Sequence, residues 1–122
     1  MARILIADDS SEFREWLSEV LTRAGHSVAS ARDGLEAQCV ARRGPFDLAV
    51  TDISMPNEEG LGLIRALRKS QPEMKIIAIS GLDAETLDDA RLLGAARTLR
   101  KPISAAVVLE CVAAVMSPAA IH

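Results

Sequence analysis

Arg3-Ile4-Leu5-Ile6-Ala7-Asp8-Asp9-Ser10 is an apolar run that stops abruptly on two carboxylates and a hydroxyl. A run that is apolar at nearly every position suits a strand buried on both faces, as in a parallel sheet. Working outward, runs rich in Ile, Leu, Val and Ala recur at residues 27–31, 48–51, 75–79 and 96–99. The segments between them have a helical period. Phe13, Trp16, Leu17, Val20, Leu21 and Ala24 fall at offsets of three and four on one face, and Gly25 follows as a stop. Gly60, Leu63, Ile64 and Leu67 repeat the pattern before Gln71-Pro72 ends it. A helix at about 83–93 carries Leu87, Ala90 and Leu93, with Gly94 behind it. The last helix carries Ile103, Val107, Cys111, Ala114 and Val115. A second helix near 35–43 has the weakest stripe, since Gln38 falls among its apolar positions, and Gly44-Pro45 closes it.

Strand and helix thus alternate five times. This predicts a three-layer α/β fold, a doubly wound five-stranded parallel sheet with right-handed crossovers. A flavodoxin-like strand order, 2-1-3-4-5, is the leading choice, and ligands of such sheets sit past the carboxyl ends of the strands.

The chain has 122 residues, enough for one domain, and its 49% apolar and 25% charged residues suit a soluble globular protein. A net charge of −3 gives no sign of a nucleic-acid or membrane surface. No apolar stretch approaches the roughly 18–20 residues that span a bilayer. Asp8 and Asp9 interrupt the first apolar run too early for a secretory signal. Cys39 and Cys111 lie in helix-like stretches and read as small hydrophobes. The sum points to a cytoplasmic protein.

At the carboxyl ends of the strands stand Asp8-Asp9, Asp52, Ser80-Gly81 and Lys101-Pro102. Singly, each has a bland reading. Asp9 or Ser10 could cap the first helix, Ser80 could serve a turn, and Lys101 could be a solvated charge. Asp52 is harder to dismiss, because a carboxylate ending an apolar strand needs a partner. Three carboxylates, a hydroxyl and an ammonium on one sheet edge make a joint signal. The carboxylates repel one another, and one lysine offsets only one charge. A hard divalent cation with oxygen ligands answers the rest, and Mg²⁺ suits one or two carboxylates, waters and a phosphate oxygen. Metal and lysine together can neutralise an incoming phosphoryl group, the requirement of phosphoryl transfer, and a carboxylate can itself accept phosphate.

The stretches ILIADDS (4–10), DLAVTDISMPNEEG (47–60), IIAISG (76–81) and LRKP (99–102) follow one another with the spacing of a known family. The sequence resembles the receiver domain of bacterial two-component response regulators, chemotaxis-regulator-like, from Arg3 to about Met116. The resemblance implies roles. Asp52 is the phosphoacceptor. Asp9 binds Mg²⁺ directly, Asp8 holds a metal-bound water, and Asp52 and the backbone carbonyl of Ser54 complete the metal ligands. Lys101 pairs with phosphoryl oxygens, and Ser80 turns its hydroxyl toward the bound phosphate. Met55-Pro56 and Gly60 shape the loop after the third strand, Gly81 leaves room for the phosphate, and Lys101-Pro102 is cis. One departure stands out. Many receivers carry an aromatic residue three positions before the lysine, where this chain has Thr98, and it contains no tyrosine. Ile103, where the family often has Phe, is a milder change.

The expected domain is 1–117, with 118–122 a short tail. The expected function is a phosphoacceptor switch, not an enzyme beyond assisting its own phosphorylation and dephosphorylation. Its partners would be a histidine kinase or histidine phosphotransfer protein and a downstream effector or fused output domain, with no nucleic acid or membrane. A stand-alone receiver and a receiver cut from a longer regulator both fit, and the short tail favours the former. A small metal-dependent phosphohydrolase with an Asp nucleophile is the alternative. Such enzymes usually place a second carboxylate two residues later, where this chain has Ser54. A flavin protein of the same fold is disfavoured, because Asp8-Asp9 occupy the place of the phosphate cradle.

Overall fold

The computed structural model describes residues 1–53, 59–81 and 84–117. In chain order the elements are β1 (Arg3–Ala7), α1 (Ser11–Arg23), β2 (Ser27–Ala31), α2 (Gly34–Ala41), β3 (Leu48–Asp52), α3 (Glu59–Ser70), β4 (Lys75–Ser80), α4 (Ala84–Leu92), β5 (Arg97–Arg100) and α5 (Ala105–Met116). All strand pairs are parallel, and the order is β2-β1-β3-β4-β5.

Period two along the strands sorts the core into two layers. Ile4, Ile6, Val50, Ile77 and Ile79 pack with Leu17 and Leu21 of α1 and Val108, Val112 and Val115 of α5. Leu5, Ala7, Ala49, Ile76 and Ala78 pack on the opposite face with α2, α3 and α4, through Ala37, Val40, Leu63, Ile64, Leu67 and Ala90. Every residue of β3 is buried, as its position in the middle of the sheet requires. The outer strands β2 and β5 are only partly covered, because each has a neighbour on one side alone. The expectation of strands buried on both faces holds for the inner three and fails at the edges.

Side chains and glycines set the helix ends. Ser10 caps α1, its Oγ accepting from the Phe13 N–H at 3.2 Å. Asp33 caps α2 the same way from the Glu36 N–H at 2.7 Å. Gly25 (φ +97°) and Gly94 (φ +116°) follow α1 and α4 in a left-handed conformation that a Cβ would strain. The Gln38 misfit of α2 disappears, since its buried stripe is Gly34, Ala37, Val40 and Ala41.

Some boundaries move. β3 and β4 each run one residue past their apolar stretch, so Asp52 and Ser80 are themselves strand residues. β5 begins at Arg97 rather than 96. Ile103 precedes α5 instead of lying on it, because Ser104 takes the cap position and accepts from the Val107 N–H at 3.2 Å. Cys39 is exposed rather than a core hydrophobe, whereas Cys111 is half-buried. At the rim opposite the strands' carboxyl ends, Met116 at the end of α5 shares a groove with Phe46, Asp47, Met74 and Lys75. Ala2 sits at that rim too, its N–H donating to His26 Nδ1 at 3.0 Å.

Candidate functional site

The chain leaves β1 towards the α1 face and leaves β3 towards the opposite, α3 face, so a crevice opens where β1 and β3 end side by side. Asp8 follows β1 directly, and its backbone N–H continues the ladder to Ala31 C=O at 3.1 Å. Asp52 is the last residue of β3, paired with Ile79, and the next amide, Ile53 N–H, donates to Ile79 C=O at 2.9 Å. Both carboxylates therefore stand on sheet backbone rather than on free loop.

Burial makes this a costly arrangement. Asp8 is 1% and Asp52 4% exposed, while Asp9 is exposed. Lys101 Nζ donates to Asp52 Oδ2 at 2.9 Å and to Asp8 Oδ2 at 3.2 Å, bridging the pair. The other oxygen of Asp8 accepts the Ser10 N–H at 2.8 Å. Its carbonyl accepts from the Arg14 guanidinium at 2.6 Å, which braces the turn into α1. Burial pushes the Asp8 carboxyl up to about 6, with the charge of Asp52 adding to the rise and the Ser10 amide and Lys101 opposing it. Burial pulls Lys101 down, but the hydrogen bond and charge of Asp52, with Asp8, outweigh it and leave the ammonium above its ordinary value.

Carboxylate oxygens of Asp8, Asp9 and Asp52 lie within 4.8 Å of one another. Three hard oxygen donors at that spacing fit a small divalent cation, and a single lysine leaves two negative charges for it to offset. Since Ser10 is the cap, the Asp9 side chain is spared that role. Ser54, whose carbonyl was expected as a further ligand, lies outside the described residues, as do Met55 and Pro56.

The remaining site residues come from β4 and the end of β5. Ser80 is fully buried, and its C=O accepts the Lys101 N–H at 2.8 Å, tying the lysine backbone to the sheet. Lys101-Pro102 is cis, as expected. A Cβ on Gly81 would meet only Lys101 Cβ, at 3.9 Å, among the described residues, so there is space beside it. Gly60 answers a different need. A Cβ there would fall 2.3 Å from Ile53 Cα and 2.6 Å from the Asp52 carbonyl oxygen, so α3 starts against the end of β3 only because residue 60 has no side chain.

One residue beside the cluster was missed. Phe13 reads as part of the core stripe of α1, but it is half-buried at the crevice with Lys101 Nζ 4.2 Å from its ring centroid. Trp16 backs it at 5.6 Å. The available signal was position: Phe13 lies in the first turn after Asp8-Asp9, hence beside the strand ends.

A family model described as the response regulator receiver domain matches residues 4–113. The chain is similar to a response regulator receiver protein of Anaeromyxobacter sp. (strain Fw109-5), 37% identical over 111 residues that make up 90% of this chain and 47% of that protein. It thus spans about half the length of that relative. Its fold is similar to that of Vibrio cholerae chemotaxis protein CheY4, with TM-score 0.88, 29% identity and coverage of 95% of this chain and 99% of that one. It is also similar to a Burkholderia pseudomallei response regulator protein crystallised with a phosphorylated aspartic acid, calcium ion and citrate. For that structure the TM-score is 0.84 at 29% identity, covering 99% of this chain and 69% of that one.

Proposed function

The chain belongs to the response regulator receiver domain family of two-component systems, and from that membership we propose that it accepts a phosphoryl group on Asp52 with Mg²⁺ and switches a partner. The observation that carries the proposal is the bridge from Lys101 Nζ to Asp52 and Asp8, inside a cluster of three carboxylates within 4.8 Å. The phosphorylated aspartic acid and calcium ion of the Burkholderia protein support the same assignment.

Asp8, Asp9 and Asp52 would hold the ion, with the Ser54 carbonyl as a further ligand. The bound metal supplies positive charge to the phosphoryl oxygens. An Asp52 carboxylate oxygen attacks the phosphorus in line. The bond from phosphorus to the donor's imidazole nitrogen breaks, and the donor keeps the electron pair. Lys101, already hydrogen-bonded to Asp52, moves its ammonium onto an incoming phosphoryl oxygen, so the charge is met by a donor that needs little rearrangement. Ser80 offers its hydroxyl from the neighbouring strand.

Such a domain is a signalling element, and the only chemistry it assists is its own phosphorylation and dephosphorylation. Its phosphoryl donor would be a histidine kinase or histidine phosphotransfer protein, and the partner it switches would be a downstream effector or fused output domain. We place it in the cytoplasm and assign 1–117 to the receiver; residues 118–122 lie outside the described residues. Among the described residues no helix is long and apolar enough to cross a membrane. Thr98, paired with Ala78, lines a groove of about 360 Å³ with Val107, Cys111 and Ala114, where many relatives would place an aromatic ring. We therefore put the transmitted change at the mouth and the start of α4 rather than across the α4–β5–α5 surface. Leu82 and Asp83, in the connecting loop, lie outside the described residues.

Incubation with acetyl phosphate and Mg²⁺ should add one phosphoryl group by mass, and Asp52→Asn should remove it. Labelling of the Asn variant at the wild-type rate would refute the acceptor assignment. Multiple turnover on small phosphate esters would point instead to the phosphohydrolase.

A further inference from the structure

We infer that Phe13 is a positioning residue for Lys101, its ring face holding the ammonium in place for phosphoryl transfer to Asp52. The inference rests on Asp52 being the acceptor. An ammonium has three N–H donors. Asp52 and Asp8 take two of them, at 2.9 and 3.2 Å, and the Phe13 ring lies 4.2 Å away to receive the third. The negative face of an aromatic ring attracts a cation at this distance, more strongly where water is partly excluded. The Lys101 side chain is only 28% exposed.

The ring is held from several directions. Its backbone N–H is fixed by the Ser10 cap at 3.2 Å, one turn into α1. Trp16 lies behind it at 5.6 Å and an interplanar angle of 44°. Both rings pack on the core layer that contains Leu17 and Val108. Phe13 therefore has little freedom to withdraw, and its face is a fixed wall on the α1 side of the ammonium. Lysine is a flexible stem carrying a strongly hydrated charge. Without the wall, the head group gains access to water and spends less time at the acceptor. With it, the same lysine reaches the incoming phosphoryl oxygens from a prepared position.

The test is single-turnover phosphorylation by saturating acetyl phosphate and Mg²⁺, with Phe13→Leu, Phe13→Tyr and pentafluorophenylalanine at position 13. The fluorinated ring keeps the shape and reverses the charge of the face. Phe13→Leu and the fluorinated ring should each slow the rate about three- to ten-fold, while Phe13→Tyr stays within about two-fold of wild type. The half-saturating Mg²⁺ concentration should move less than about two-fold in all three, because the metal ligands are untouched. A structural role alone would leave the fluorinated ring at the wild-type rate. That outcome, or an equally fast Leu variant, overturns the inference. If the Leu variant fails to melt cooperatively, the fluorinated ring alone decides. A wild-type chain that takes no label overturns the acceptor assignment and this inference with it, whereas a labelled wild type with indifferent variants overturns this inference only.

Discussion

In the metal-free protein, Asp8 should make the fold less stable as pH rises through the weakly acidic range. Its carboxyl is 1% exposed and is pushed from 3.8 up to about 6. The folded protein thus binds this proton more tightly than the unfolded chain does. Folding gains from it wherever the proton is on, and that gain is lost between about pH 4 and pH 6. The difference between 3.8 and about 6 converts to about 3 kcal/mol in full. Between about pH 5 and pH 7.5 roughly half of this, on the order of 1 kcal/mol, remains to be lost. Denaturant unfolding with a chelator present, at those two pH values, measures it. The same experiment on Asp8→Asn gives the comparison, because the amide carries no proton to lose and titrating residues away from the Asp8–Asp52–Lys101 cluster cancel. Mg²⁺ should oppose the loss, since it favours the ionised carboxylate, and should therefore stabilise the protein more at the higher pH. Equal pH slopes for wild type and Asp8→Asn would refute the reasoning, as would a metal-free wild type that gains stability with pH relative to the variant.

Other outcomes follow from single positions. Gly60→Ala should cost about 3 kcal/mol or more in a denaturant or thermal melt, because the new Cβ meets backbone at 2.3 and 2.6 Å rather than a yielding side chain. An unchanged melt would show that α3 is free to slide away from β3. With beryllofluoride as a phosphoryl mimic, amide exchange should slow most at residues 81–84 and least across 87–93 and 105–112. Thr98→Tyr should extend the change into the latter two, and equal protection in the wild type would show that the outer face carries the signal without an aromatic.

Most of the fold was legible because central parallel strands must be apolar on both faces. Ile4–Ala7, residues 48–51 and residues 75–79 could hardly be anything else. At the edge, Ser27–Ala31 was legible as a strand with its observed bounds, but its partial exposure was not, since it has a neighbour on one side alone and tolerates serine. Asp52 and Ser80 were read as ending their strands, and the ladder does run one residue past each apolar stretch to include them. Polar residues at the crevice belong to the ladder by backbone pairing, although their side chains break the apolar pattern. Ile103 misled as a helix residue because an apolar side chain just before a capping serine packs on the same layer as the helix behind it. The convergence of Asp8, Asp9, Asp52, Ser80 and Lys101 was visible because the sheet rule fixes where strand ends meet. Phe13 was not visible, since a helical stripe does not reveal that one of its rings ends beneath a cation.

The groove that Met116 shares with the starts of β3 and β4 has a practical side. Helix α5 finishes at the far rim from Asp52, and Ala2 lies at that rim as well. A biosensor surface or affinity handle attached at a position beside Ala2 or Met116 would stand on the rim away from the carboxylate mouth. The proposed phosphorylation of Asp52 could then be followed on immobilised protein with the tether away from the acceptor.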